Sequence, residues 1–275
     1  MGNTSVGYQM TAPLSAKITL KGVEKRFTTA QGNGQVALSS VDLEIGVGEF
    51  VCLVGPSGCG KTTLINLMAG FEKASDGSVI IDGKPVSGPD PDHIMIFQDY
   101  GLYPWRTVLG NVLFGLQARG IPAVEARDRA EATLELVGLR QAAEKHPHEL
   151  SGGMKQRVAI ARALAVEPSV LFMDEPFAAL DAFTRLHLQD ELLRIWTEKK
   201  PTVVFVTHDL DEAIALGQRV VLMAPAPGRI KRILEVTLPQ PRERTRDDFA
   251  LFRRELYTEF RLVHQLALQE AEYTI

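Results

Sequence analysis

The sequence predicts an α/β fold with a mostly parallel sheet core, an antiparallel β subdomain and an inserted helical subdomain. In the second half of the chain, apolar runs of strand length alternate with helical segments, at 170–173, 182–196, 203–206, 210–216 and 220–223. Strands that are joined by helices in this way are typically parallel. Before residue 46, apolar and polar residues alternate with period two, which predicts the antiparallel layer.

The antiparallel layer is predicted from three short segments. After an expected flexible N-terminal tail, residues 1–16, apolar residues alternate through 18–27 and again through 41–45. The run Val79-Ile80-Ile81 is followed by Asp82-Gly83, a dipeptide that strongly favours a tight hairpin. These segments therefore indicate a small sheet that is separate from the parallel core.

The core strands and the helical insertion follow from apolar runs and composition. Residues 50–54 and 94–97 are apolar throughout, as in buried strands, and residues 61–69 have the apolar spacing of a helix. From about 108 to 144 the chain is rich in Ala, Leu, Glu and Arg, and a further helix is predicted over 154–165. We therefore expect a main domain over 17–238 with a helical subdomain at about 99–165.

The C-terminal extension, residues 239–275, has the apolar spacing of an amphipathic helix. Its apolar residues are Phe249, Phe252, Leu256, Phe260, Val263 and Leu266. This spacing favours a helix that packs on its own domain over a membrane or regulatory role.

The composition is that of an ordinary globular protein, with 45% hydrophobic and 23% charged residues in a chain of 275. The formal net charge of -4 argues against a dominant nucleic-acid-binding surface. The two cysteines, Cys52 and Cys59, lie too close in sequence to suggest a structural disulfide, which fits a reducing compartment. The chain has no apolar run of about 20 residues and no signal-peptide profile, so we expect a cytoplasmic protein unless a partner holds it at a membrane.

A glycine-rich loop lies between the strand 50–54 and the helix that follows it. The loop matches the pattern G-x-x-x-x-G-K-[ST] and reads Gly55-Pro56-Ser57-Gly58-Cys59-Gly60-Lys61-Thr62-Thr63. A strand that turns through glycines into a helix directs backbone N–H groups at one point, where an anion binds. Lys61 is suited to reach the β- and γ-phosphates, and Thr62 is suited to bind Mg²⁺. The sequence therefore predicts a nucleoside triphosphate site.

Polar residues follow two of the predicted parallel strands. Asp174 and Glu175 end the apolar run 170–173, and His208 follows the strand 203–206. Ligands of open α/β sheets bind at the carboxyl ends of the strands, so we expect all three side chains to face the phosphates. Asp174 is suited to hold Mg²⁺, and Glu175 is suited to polarise the attacking water. His208 is suited to hydrogen-bond the γ-phosphate and that water, although many such histidines are only structural.

A further motif completes a pattern that resembles a known family. It reads Leu150-Ser151-Gly152-Gly153-Met154-Lys155-Gln156 and resembles the signature of ATP-binding-cassette (ABC) transporters. Ser151 is suited to cap a helix whose glycine N–H groups are accessible to an anion. Met154 stands where the family more often has Gln. The resemblance covers roughly 18–236 and implies a P-loop NTPase fold of ABC type that hydrolyses ATP.

The resemblance also implies roles that the residues alone do not. Gln98 matches the glutamine that senses Mg²⁺ and the γ-phosphate, and Ala179-Leu180-Asp181 matches a loop that crosses a dimer interface. His208 matches the switch histidine. Phe27 lies where the family has an aromatic residue that stacks on adenine, although an apolar residue there fits a core position equally well. In the implied mechanism two copies of the chain bury two ATP molecules between them.

The expected site residues fall into three groups. The ATP-binding residues are Phe27, Gly55, Pro56, Ser57, Gly58, Cys59, Gly60, Lys61, Thr62, Thr63 and Gln98, together with Ser151, Gly152, Gly153 and Asp181 contributed by the other copy. The Mg²⁺ ligands are Thr62, Gln98 and Asp174, and the catalytic residues are Glu175 and His208.

The family resemblance implies partners as well. The run from Gln98 to Trp105 is unusually aromatic for a surface loop and predicts a socket for an integral membrane permease, unless the rings pack within their own subdomain. The permease would be a separate chain, as in most bacterial importers, and a periplasmic or surface solute-binding protein would complete the complex. The chain would then lie on the cytoplasmic face of the inner membrane.

Three features resemble the importers of the nitrate, sulfonate and taurine type. They are the run Leu102–Trp105, the segment 224–230 and the short tail after Pro239. They imply a small anionic solute such as nitrate, an alkanesulfonate or taurine. The alternatives are an importer for another small solute, an exporter or lipid-handling system, and a soluble ABC ATPase without a transport role.

Cys59 also leads to a separate expectation. A thiol at a helix N-terminus is usually favoured as the thiolate, which predicts a reactive cysteine that ATP protects. The alternative is an unreactive small residue that fits the loop.

Overall fold

The computed structural model describes residues 15–28, 34–225 and 227–272. Residues 1–14 of the predicted tail lie outside the described residues, and Ala16, expected as its last residue, begins the first strand. The strands are β1 Ala16–Thr28, β2 Gly34–Gly46, β3 Phe50–Val54, β4 Asp76–Ile81, β5 Lys84–Pro85, β6 His93–Ile96, β7 Val170–Asp174, β8 Thr202–Thr207, β9 Arg219–Ala224 and β10 Arg229–Glu235. The helices are α1 Lys61–Met68, α2 Val108–Ala118, α3 Ala123–Leu136, α4 Gly152–Ala165, α5 Ala182–Lys199, α6 Leu210–Leu216 and α7 Asp247–Glu272.

The larger sheet has six strands in the order β10-β9-β3-β8-β7-β6. The neighbours β9, β3, β8, β7 and β6 are parallel, and β10 pairs antiparallel with β9 at the edge. The predicted parallel core is thus confirmed. Since parallel strands end at one edge of the sheet, the residues that follow β3, β7 and β8 are brought together there.

The smaller sheet is antiparallel and has the order β2-β1-β4-β5, as predicted. The link between β4 and β5 is the predicted two-residue turn. Asp82 and Gly83 both have positive φ, 50° and 72°, which a type I′ turn requires at its two central positions.

The two faces of β3 belong to different parts of the core. Phe50, Cys52 and Val54 lie in a cluster with the helices α2 to α7, whereas Val51 and Leu53 lie in a cluster with α1 and the smaller sheet. All five residues of β3 are buried. A strand that is covered on both faces has no polar side, which explains its uninterrupted apolar run.

The helical subdomain consists of α2, α3 and α4, which pack against one another. The helix ends predicted from glycine are confirmed, since Gly120 and Gly138 follow α2 and α3 with φ of 72° and 65°. Helix α4 starts at Gly152, so the expected start at Met154 was two residues late. Ser151 is the N-cap, and its Oγ accepts from the Met154 N–H at 3.3 Å.

The C-terminal extension packs on the main domain through α7, which contacts α6, β9 and β10. Phe249, Leu256 and Val263 are buried, as the apolar spacing predicts, whereas the side chain of Leu266 lies outside the described part of the structure. The preceding strand β10 was not predicted. Its residues mix charged and aliphatic side chains, and all seven are partly or fully exposed, as at a sheet edge.

Candidate active site

The glycine-rich loop connects β3 to α1, as the sequence predicts. Gly60 caps α1 with φ of 88°, a left-handed conformation that favours glycine. Gly55 is required for a different reason, because a Cβ there would lie 2.6 Å from the Cys59 sulfur and 2.8 Å from the Met223 carbonyl oxygen. The loop is therefore tightly packed at both ends.

The side chain of Lys61 lies inside the loop. Its ammonium group donates hydrogen bonds to the carbonyl oxygens of Gly55, at 2.7 Å, and Pro56, at 3.0 Å. The same group lies 3.7 Å from the sulfur of Cys59. The side chain is thus held where the loop curls, and its charge is buried with it.

The structure overturns the expectation of a thiolate at Cys59. This residue is fully buried, and burial raises the pKa of its thiol above the usual value, although the nearby Lys61 charge opposes the shift. Cys52 is also buried and free, so the expectation that the two cysteines form no disulfide is confirmed. The alternative, that Cys59 is an unreactive small residue that fits the loop, agrees with this geometry.

Thr62 and Asp174 meet across the loop. Asp174 is the last residue of β7 and is buried, and its carboxylate accepts a hydrogen bond from the side chain of Thr62. Burial raises the pKa of Asp174, Glu175 raises it further, and the Thr62 hydrogen bond and Lys61 lower it. A hydroxyl and a carboxylate oxygen side by side are the hard ligands that Mg²⁺ prefers. These two residues therefore fit a Mg²⁺ ion.

Glu175 and His208 form a pair beside this site. The Nδ1 atom of His208 lies 3.2 Å from the Oε2 atom of Glu175. Glu175 has a positive φ of 47°, and its backbone N–H donates to Val206 O at 3.1 Å, so a strained turn directs its side chain. His208 is 69% exposed at its side chain, and Glu175 is 24% exposed. The pair is thus accessible from solvent.

Gln98 and Phe27 are predicted ATP-binding residues that lie just after or within two other strands of the fold. Gln98 is exposed and follows β6, the neighbour of β7 in the sheet. Phe27 is 39% exposed, and the Lys25 ammonium lies 4.8 Å from its ring centroid. Phe27 pairs with Gln35 on β2, and this strand also contacts the loop, since a Cβ on Gly60 would meet its Leu38 side chain. Phe27 is therefore a partly exposed aromatic residue and not a core residue.

At the start of α4 the signature residues Ser151 and Gly152 are exposed and Gly153 is half-buried. A Cβ on Gly152 would lie 3.3 Å from the Tyr100 hydroxyl, and one on Gly153 would lie 3.2 Å from the Ala179 carbonyl oxygen. Asp181, close by, caps α5 by accepting from the Thr184 N–H at 3.0 Å, and this hydrogen bond lowers the pKa of Asp181. Ser151, Gly152 and Asp181 thus lie near each other at exposed positions. Contacts within the pairs Thr62–Asp174 and Glu175–His208 bring the predicted catalytic residues together beside them.

Sequence reasoning missed two buried polar residues, one that contacts Glu175 and one that contacts Thr207, the neighbour of His208. Gln156 of α4 donates to the Glu175 carbonyl oxygen at 3.4 Å, and Glu212 of α6 accepts from the Thr207 hydroxyl at 2.7 Å. Gln156 belongs to the signature motif, but its spacing gave no hint of the contact. For Glu212 the one sequence signal is its position directly before the apolar run 213–216. Sequence alone does not show that this acidic side chain is buried.

The aromatic run after Gln98 is divided between core and surface. Tyr100 and Leu102 pack against the larger core cluster, whereas Trp105 is 72% exposed. The Tyr103 ring lies between helix α2 and Trp105, with its centroid 4.7 Å from that of Phe114 and 5.5 Å from that of Trp105. Within the described part of the chain, no helix is both long and apolar enough to span a bilayer.

The chain is similar to known ATP-binding proteins. The family model described as ABC transporter matches residues 38–178. A nitrate import ATP-binding protein of Synechococcus elongatus is 48% identical, over 81% of this chain and 82% of its own length. A bicarbonate transport ATP-binding protein of the same species is 48% identical, over 84% of this chain and 35% of its own length. A dimeric solved structure of an ATP-binding cassette in a post-hydrolysis state, bound to ADP and Pi, has a TM-score of 0.74 and 34% identity, over 81% of this chain and 100% of that one. This chain therefore belongs to the ABC transporter family, as a member that binds and hydrolyses ATP.

Proposed function

We propose that this chain is the energy-coupling ATPase subunit of an importer for a small anionic solute. The observation that carries the ATPase part is the meeting of Lys61, Thr62, Asp174, Glu175 and His208 at the carboxyl ends of β3, β7 and β8. The family uses ATP with Mg²⁺. Thr62 and Asp174 would hold the ion, with Gln98, which follows the neighbouring strand β6, as a third ligand, and the ion neutralises phosphate charge when bound.

In this proposal the loop residues bind the phosphates and the Glu175–His208 pair positions water. The N–H groups of the loop and the start of α1 face the phosphates, and Lys61 exchanges its contacts with loop carbonyls for phosphate oxygens. Glu175 accepts the proton of the attacking water. His208, hydrogen-bonded to Glu175, holds the water and the γ-phosphate in place. Phe27 supplies a partly exposed ring on which adenine stacks.

The second half of each site comes from another copy of the chain. Ser151, Gly152 and the half-buried Gly153 form a helix N-terminus, where backbone N–H groups and the helix dipole favour an anion. Asp181 is exposed beside them. A head-to-tail arrangement with two-fold symmetry places the signature of each copy over the loop of the other. The dimeric state of the solved cassette supports this arrangement.

The import assignment rests on relatives and on one surface. Proteins with 48% identity are named for nitrate import and for bicarbonate transport, so small anions recur among them and import is favoured over export or a soluble role. Trp105, exposed and linked through Tyr103 to the helical subdomain, provides a contact for a separate permease on the cytoplasmic face of the membrane. A solute-binding protein would deliver the anion.

The test is solute-stimulated hydrolysis in the full complex. The chain is purified with its permease and solute-binding protein in lipid, and ATP hydrolysis is measured with nitrate, an alkanesulfonate, taurine and bicarbonate, each against a cationic amino acid as control. We expect one of the anions to stimulate hydrolysis and to be transported. Stimulation by the cation alone, or outward transport, contradicts the proposal.

A further inference from the structure

A buried chain of hydrogen bonds connects the C-terminal extension to the end of β8. Arg244 donates to the Oε1 atom of Gln189 on α5. The Nε2 atom of Gln189 donates to Glu212 Oε1 at 2.9 Å, and the Thr207 hydroxyl donates to Glu212 Oε2 at 2.7 Å. Gln189 and Glu212 are only 1% and 6% exposed. These hydrogen bonds therefore cross the interior of the protein, from Arg244 in the C-terminal extension to Thr207, the residue that precedes His208.

Each link in this chain has a fixed direction. An arginine side chain only donates hydrogen bonds, so the amide oxygen of Gln189 must face Arg244 and the amide nitrogen must face Glu212. The Glu212 carboxylate then receives the hydroxyl hydrogen of Thr207, whose oxygen remains free to accept the Asp209 N–H at 3.0 Å. Without the arginine, the buried amide oxygen of Gln189 loses its donor, and only the bond to Glu212 still holds the amide in place.

The far end of the chain fixes both neighbours of His208. Thr207 is held through Glu212, and Asp209 is held twice, by the Thr207 hydroxyl and by capping α6 through its carboxylate, which accepts from the Asp211 N–H at 2.8 Å. The His208 side chain itself is mostly exposed, and its ring contacts Glu175 at 3.2 Å. The direction of the ring therefore depends mainly on how its backbone is held.

The segment that carries Arg244 is also held by several hydrogen bonds. Arg242, two residues before Arg244, donates to four backbone carbonyl oxygens, those of Ile214 and Gly217 at 2.6 Å, Leu238 at 3.0 Å and Val236 at 3.1 Å. These bonds attach the segment to the end of α6. Arg244 thus approaches Gln189 from a fixed position, which gives the chain of hydrogen bonds a rigid support at both ends.

We propose that Arg244 is a positioning residue for ATP hydrolysis, which orients the His208 segment through Gln189, Glu212 and Thr207. The inference rests on the proposed role of His208 in hydrolysis. It gives the C-terminal extension a function in catalysis, where the apolar spacing of α7 predicts only packing. Arg185 also lies near Glu212, at 3.8 Å, but beyond hydrogen-bond distance, so it balances charge without setting the amide direction.

The first test compares two arginines of the extension in the full chain. Arg244→Ala is expected to lower kcat at saturating MgATP by about twofold to thirtyfold, the range for residues that couple distant sites, with KM for ATP unchanged. Arg246→Ala is the matched control, because Arg246 is exposed and pairs with Asp248 on the surface. Arg244→Lys keeps the charge and a donor and should restore part of the loss. Equal kcat for the two alanine variants overturns the proposal, as does a change in KM alone.

The second test asks whether the effect passes through Gln189. Gln189→Leu replaces the amide by an apolar side chain of similar size, and Gln189→Met serves if the leucine variant does not fold. Combining either with Arg244→Ala should lower kcat no further than the single variant at Gln189 does, since both break the same chain. Additive losses contradict the proposal. His208→Ala separates the two claims, because its full activity would refute the role of His208, whereas its inactivity beside an unaffected Arg244→Ala would refute only the role of Arg244.

Discussion

Replacing Glu175 with glutamine removes the proposed base while leaving the shape of the site intact. Glutamine has the same length, adopts the same backbone conformation at about the same cost, and keeps an oxygen within reach of His208 Nδ1, now 3.2 Å from the carboxylate. Lys61 and Thr62, which we expect to bind the phosphates, do not contact this carboxylate group directly. We therefore expect ATP affinity within about twofold of the parent, a free-energy change below about 0.5 kcal/mol.

The loss of the base should appear in the chemical step alone. A positioned general base contributes about 10²- to 10⁴-fold to a rate, which corresponds to about 2.7–5.4 kcal/mol at about 1.36 kcal/mol per tenfold. Phosphate release is measured in a single turnover, and ATP binding is measured with a fluorescent analogue. Glu198→Gln is the control, since Glu198 is an exposed residue that pairs with Arg194 on α5. If Glu175→Gln releases phosphate within threefold of the parent rate, Glu175 is not the base.

Three further predictions concern the loop and the buried acid. Gly60→Ala should unfold at a lower temperature than Gly58→Ala. Both variants lose about 1–2 kcal/mol of stability to a left-handed conformation, but only at Gly60 does the new Cβ clash with Leu38, 2.6 Å away. Equal melting temperatures contradict this prediction. Asp174→Asn should raise the melting temperature at pH 7 while hydrolysis is lost, because burial raises the pKa of Asp174 and its ionised form destabilises the fold. This increase in melting temperature over the parent should shrink as the pH falls through the raised pKa of Asp174. An increase that does not depend on pH refutes the prediction. Cys59 should react with N-ethylmaleimide more slowly than glutathione at pH 7, because its thiol is buried with a raised pKa; faster labelling, followed by mass spectrometry, argues otherwise.

Much of the fold and site could be predicted because the relevant signals are local. The loop from Gly55 to Thr63 lies between a strand and a helix, so its spacing alone specifies an anion site. The turn at Asp82-Gly83 and the cap at Ser151 also depend only on nearby residues. Parallel pairing then brings Asp174 and His208 to the same edge without further information.

The features that sequence could not supply depend on burial or on long-range contacts. The helix N-terminus at Cys59 suggested a thiolate, but desolvation outweighs it in the packed loop. Gln189 looks like any polar residue of an exposed helix, yet it is buried against Glu212, 23 residues further along the chain. Arg244 reaches the same cluster from beyond β10. Contacts of this kind follow from the tertiary arrangement and leave no periodic pattern.

The measurement that tests the shared site most directly is the mass of the Glu175→Gln variant in solution. By sedimentation in MgATP we expect a dimer, which returns to the monomer when Gly152→Asp is added. The fold should be kept, because the carboxylate that Gly152→Asp introduces is favourable in the first turn of α4. The atom nearest to the new Cβ is the Tyr100 hydroxyl, 3.3 Å away at the end of a flexible side chain. The added negative charge repels the phosphate of ATP. We predict this loss of the dimer together with loss of hydrolysis when Gly152→Asp is placed in the parent chain. Hydrolysis at the parent rate by monomers that carry Gly152→Asp would contradict it.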